Sequence, residues 1–67
     1  MIYLVFYKTN DVFVSEELLN GAGIEVTIVP TPVQDIAYCG VCNKIDSKYE
    51  KIATTILGSM DYIIIRS

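Results

Sequence analysis

Sixty-seven residues make one small domain, 1–67, with room for a single core. A composition of 52% hydrophobic and 19% charged residues excludes disorder. The net charge is −3, and the basic residues Lys8, Lys44, Lys48, Lys51 and Arg66 form no run, which argues against nucleic acid as a partner.

IYLVFY (2–7) is β-branched and aromatic, ends at the polar KTND, and reads as a buried strand. Asn10 or Asp11 caps the helix expected next, through VFVSEELLNGAG. Val14, Leu18, Leu19 and Ala22 supply its apolar stripe, and Gly23 is the natural left-handed residue at its exit. IEVTIV (24–29) alternates apolar and polar residues and predicts a half-buried strand. Pro30, Thr31 and Pro32 end it, because two prolines remove two ladder donors. The isomer of either X-Pro bond is left open.

After an irregular connection, CGVCNKI (39–45) predicts a third strand. In SKYEKIATTIL (47–57) the stripe Tyr49, Ile52, Ala53, Ile56 and Leu57 has helical spacing, with Ser47 and Glu50 as a capping box. Gly58 stops this helix, and DYIIIRS (61–67) gives a last strand. The order βαββαβ with right-handed crossovers predicts an α+β, ferredoxin-like fold: a four-stranded antiparallel sheet with both helices on one face. The apolar stretches fall far short of the roughly 20 residues of a membrane span, so no membrane partner is expected. No basic segment precedes Ile2, which makes the cytoplasm the default compartment. So small and apolar a chain is expected to keep a hydrophobic patch, favouring a dimer or other homo-oligomer.

Cys39 and Cys42 are the only cysteines, and histidine is absent. In that topology Cys39 falls at the sheet edge where the first helix begins, near Lys8, Asn10, the 30–32 turn and Tyr38. A helix N-terminus and a lysine favour thiolate, so Cys39 is the candidate nucleophile. Gly40, lacking a Cβ, would let another backbone or a ligand come close. Tyr38 is placed to cover the site. If 39–45 is extended, Cys39 and Cys42 point to opposite faces and cannot join in a disulfide; they can bridge only if Gly40 and Val41 turn. The alternatives left standing are a redox pair, half of a metal site completed by a second copy, and two buried small side chains. Within one chain the ligands for a metal are too few, and no cofactor is expected. Glu16, Glu17, Asp46 and Glu50 read as solvated helix residues.

The opening IYLVFYKTNDV, the exit Ala22-Gly23-Ile24, the VPTP at 29–32 and the pair Cys39-Gly40, in this order, resemble the small selenium/sulfur carrier-like proteins. The resemblance runs over almost the whole chain. It implies a small α/β fold and a chalcogen held as a persulfide or selenosulfide on the cysteine of the Cys-Gly pair, here Cys39. Cys42 departs from the pattern and is either incidental or resolves a Cys39 persulfide to a disulfide. Such a carrier takes the atom from a donor protein and gives it to an acceptor. It needs an exposed, activated thiol and no general base, so the chain reads as a carrier and not an enzyme. The rival is a ferredoxin-like interaction or ligand-binding module with inert cysteines.

Overall fold

Alternation along the first strand sends Ile2, Leu4 and Phe6 to one side of the sheet, and each is at most 1% exposed. The computed structural model describes residues 1–32 and 37–66. Its elements are β1 (Ile2–Phe6), α1 (Thr9–Gly21), β2 (Thr27–Pro30), β3 (Val41–Ile45), a 3-10 turn (Ser47–Tyr49), α2 (Glu50–Leu57) and β4 (Tyr62–Arg66). The strands form one sheet in the order β2-β3-β1-β4, with every ladder antiparallel. Each strand–helix–strand unit thus leaves a gap that a strand of the other fills, the ferredoxin-like arrangement. The core lies between this sheet and the helices, where Val12 and Leu19 of α1 and Ala53 and Leu57 of α2 meet Ile2, Leu4, Phe6 and Ile45. Burial of one such leucine or isoleucine contributes about 1.5–3 kcal/mol.

Several boundaries move. α1 begins at Thr9, with Lys8 in extended conformation at the cap position and no side-chain cap bond. Asn10 and Asp11 therefore sit inside the first turn, where Asp11 N–H already donates to Lys8 O at 3.1 Å. The buried face of α1 is Val12, Ser15 and Leu19, while Val14 and Leu18 are exposed. The expected stripe is rotated outward because Ser15 turns in to meet Asn43 of β3, whose amide nitrogen donates to Ser15 Oγ and to Val12 O.

The exit of α1 explains why β2 starts late. Gly23 takes φ +83°, Gly23 N–H donates to Asn20 O, and Ile24 N–H donates to Leu19 O. Ile24 thereby closes the helix with its side chain in the core, and the strand starts at Thr27 instead of Ile24. Pro30 is the last residue of β2 and pairs with Val41; both prolines are trans. Before α2, Asp46, not Ser47, supplies the cap by accepting from Lys48 N–H at 3.0 Å. Glu50 is freed from any capping box and pairs with Arg66. Tyr49 and Ile56 pack against the core, but Ile52 of the expected stripe is exposed. Gly58, at φ +55°, ends α2 as the sequence indicates. Tyr7, Asp61 and Cys39 fall outside the strands assigned to them.

Candidate functional site

The first strand delivers the site by ending. β1 stops at Phe6, α1 starts at Thr9, and the segment that closes over this corner carries Cys39. The β1–β3 ladder sets Leu4 opposite Asn43, which would bring Phe6 opposite Val41. Instead, Cys39 N–H donates to Phe6 O at 2.8 Å, two residues out of that register. That bond lies beyond the paired part of β1 and β3, and β3 starts at Val41 rather than Cys39.

Thr31 secures the other side. Its N–H donates to Gly40 O at 3.0 Å and its hydroxyl to Cys39 O at 2.6 Å. Cys39 is thus held by its amide and its carbonyl, while its sulfur lies 3.3 Å from Thr9 Oγ1 in the first turn of α1. Among the described residues Thr9, and neither Lys8 nor Asn10, makes that side-chain contact. The sequence reading passed over Thr9 because KTND looked like a loop; the available signal was a hydroxyl at the mouth of a helix facing the same edge.

The residue is only 9% exposed and belongs to the helix-side core. That differs from the open thiol expected of a carrier. Tyr38, half-buried, stacks on Tyr7 with ring centroids 5.1 Å apart, next to Cys39. Phe6, whose carbonyl anchors Cys39, also packs its ring 5.6 Å from that of Tyr62. Asp35, which could have opposed a thiolate, lies outside the described residues.

The model of the family described as Putative Se/S carrier protein-like matches residues 1–64. The chain belongs to that family. No curated protein and no solved structure matches it. The match takes in both cysteines of this carrier-like chain, and the structure treats them differently.

Cys42 pairs with Val29 across the β2–β3 ladder. Its neighbour Asn43 points to α1, so alternation puts Cys42 on the opposite, helix-free face of the sheet. It is fully buried there, and its S–H is 4.0 Å from Pro30 O. Burial pushes the Cys42 thiol up; the Thr31 hydroxyl opposes this and Cys39 adds to it. Thr31 therefore reaches the surroundings of both cysteines, through Cys39 O and the Cys42 thiol. Both cysteines are free thiols.

The remaining sequence candidates frame the corner. Pro30 and Pro32 are exposed at its rim, with Thr31 turned in and 4% exposed between them. A Cβ added at Gly40 would meet nothing within 4 Å among the described residues. Among the described residues no three His, Cys, Asp or Glu side chains cluster to hold a metal ion, and no helix is long and apolar enough to cross a membrane. A surface cavity of about 240 Å³ lies at the far edge of the sheet, beside Met1, Thr27, Ile45 and Tyr49, away from the cysteines.

Proposed function

We propose that this chain carries a sulfur or selenium atom on Cys39, as a persulfide or selenosulfide, between a donor and an acceptor protein. The observation that supports the reading best is the placement of Cys39: backbone fixed at both ends, sulfur against the Thr9 hydroxyl at the start of α1. A hydroxyl and the free amides of a helix N-terminus are donors that favour a thiolate. The Cys39 thiolate attacks the outer sulfur of a donor persulfide; the new S–S bond forms on Cys39, and the donor leaves as a thiolate. An acceptor thiolate repeats the step in the opposite direction. No base is consumed and no net oxidation occurs.

Burial has a use here. A sulfane sulfur on a residue only 9% exposed is shielded from bulk thiols until a donor or acceptor docks. Cys42, on the other face of the sheet and held as a protonated thiol by burial, is a poor resolving partner. Two free thiols are in keeping with a reducing compartment such as the cytoplasm.

The burial of both cysteines also favours a second reading, an interaction module whose thiols are inert. Intact mass, taken before and after exposure to a persulfide donor on anaerobically purified protein, separates the two. One added sulfur that maps to Cys39 and is lost in Cys39→Ser supports the carrier. An unchanged mass, with both thiols alkylated only after denaturation, overturns it in favour of the module.

A further inference from the structure

β4 reads Tyr-Ile-Ile-Ile-Arg and is apolar on both faces. Tyr62 and Ile64 pack on the helix-side core, and Ile63 and Ile65 alternate onto the helix-free face. Strands apolar on both sides are ordinarily covered on both sides. Yet β4 is the last strand of the sheet, pairs only with β1 among the described residues, and leaves its four apolar side chains half-buried. The other edge is blunted in the usual way: β2 has four residues and ends in Pro30, which has no N–H to offer. β4 carries no proline and no lysine, so its outer row of backbone donors and acceptors is open to another strand.

We infer that β4 pairs edge to edge with β4 of a second copy of this chain, joining two four-stranded sheets into one of eight. The strand is complementary to itself. Antiparallel pairing about a two-fold axis through Ile64 lays all five residues of one strand against all five of the other. Ile63 then faces Ile65 on the helix-free side, and Ile64 faces its own counterpart on the helix side. Tyr62 faces Arg66, whose side chain is 65% exposed at the strand end and can lie over the ring. The same register sets no like charges opposite each other, since Arg66, already paired with Glu50, faces Tyr62. It also points the two Cys39 corners in opposite directions, because both lie at the Tyr62 end of their sheets.

A stable specific interface covers roughly 800 Å² per partner, about a fifth of this chain's 4093 Å². Two five-residue edges cover less, so the association is weak and depends on concentration.

Sedimentation equilibrium of the whole chain, with amide exchange followed by NMR, tests this. The mass is expected to rise from 7.5 kDa toward twice that value with concentration, while the outward amides of β4 gain protection in step. Ile65→Lys, on the helix-free face, is expected to return the protein to a monomer with an unchanged circular dichroism spectrum. Should that variant unfold, the exchange data on the unaltered chain decide. A 7.5 kDa species at every concentration up to about 1 mM overturns the proposal and hands the edge to an extended peptide of another protein. A dimer whose β4 amides exchange as fast as in dilute solution overturns it too. Neither outcome touches the chemistry assigned to Cys39.

Discussion

Thr9 Oγ1 and Cys39 Sγ, separated by thirty residues in sequence, stand 3.3 Å apart where α1 begins. A hydrogen bond to a charged group is worth about 1.5–3 kcal/mol, and only part of that reaches the rate, because a less basic thiolate is also a weaker nucleophile. Thr9→Val keeps the shape and removes the donor. In a Cys42→Ala background, its iodoacetamide reaction at Cys39 is expected to slow several-fold at neutral pH. Thr9→Ser is expected to restore the rate. Equal rates in all three proteins would show that the contact is packing alone.

Cys42 gives a pH signature with the opposite logic. Burial raises its thiol, so between the ordinary value of about 9 and the folded value the unfolded chain has released a proton that the folded chain still holds. The unfolded state then binds fewer protons, and stability falls as pH rises through that window. The contribution is fully present below the unfolded value, at neutral pH. Its slope is at most about 1.4 kcal/mol per pH unit for one proton. Urea unfolding between pH 7 and pH 10 is expected to decline more steeply for the unaltered protein than for Cys42→Ala. Parallel curves would mean that the Cys42 thiol titrates as it does in the unfolded chain.

Inside the core, Asn43 is fully buried; its nitrogen is satisfied by Val12 O and Ser15 Oγ, but its Oδ1 has no partner among the described residues. A buried polar atom left unpaired costs about 1–3 kcal/mol. Ser15→Ala removes one partner and is expected to destabilise by about 1 kcal/mol. Asn43→Val with Ser15→Ala, which removes the polar pair together, is expected to be at least as stable as the parent. A double-mutant cycle in urea would read this as a coupling of about 1 kcal/mol or more, whereas additive losses would refute it.

The same pair explains what could and could not be read from the chain. Strand order, helix count and the antiparallel sheet were legible because the apolar runs and the Gly23 and Gly58 stops act locally. The orientation of α1 was not. Its strongest apolar stripe, Val14 and Leu18, faces out, because a polar contact with Asn43, 28 residues away, sets the rotation. Cys39 and the helix mouth were brought together by topology alone, while the partner Thr9 and the depth of burial depend on long-range contacts, Cys39 N–H to Phe6 O among them, that have no sequence signature. The start of β2 was misread for a related reason, since Ile24 looks like a strand residue and is used to close a helix.

The two glycines near these features should answer differently to a methyl group. Gly23 sits at φ +83°, where a Cβ costs about 1 kcal/mol, and Gly23→Ala is expected to lower Tm by about 4–8 °C in a domain of this size. Gly40 is outside the left-handed region, and its added Cβ meets nothing within 4 Å. Gly40→Ala is therefore expected to leave Tm unchanged or slightly raised, because it restricts the unfolded chain. On the carrier reading proposed above, any need for glycine beside Cys39 then lies outside the described residues, in the approach of a donor or acceptor. Persulfide loading from a small-molecule donor is expected to survive Gly40→Ala, and transfer to or from a protein partner to slow. A large loss of Tm in Gly40→Ala would instead mean that the folded backbone at residue 40 requires glycine.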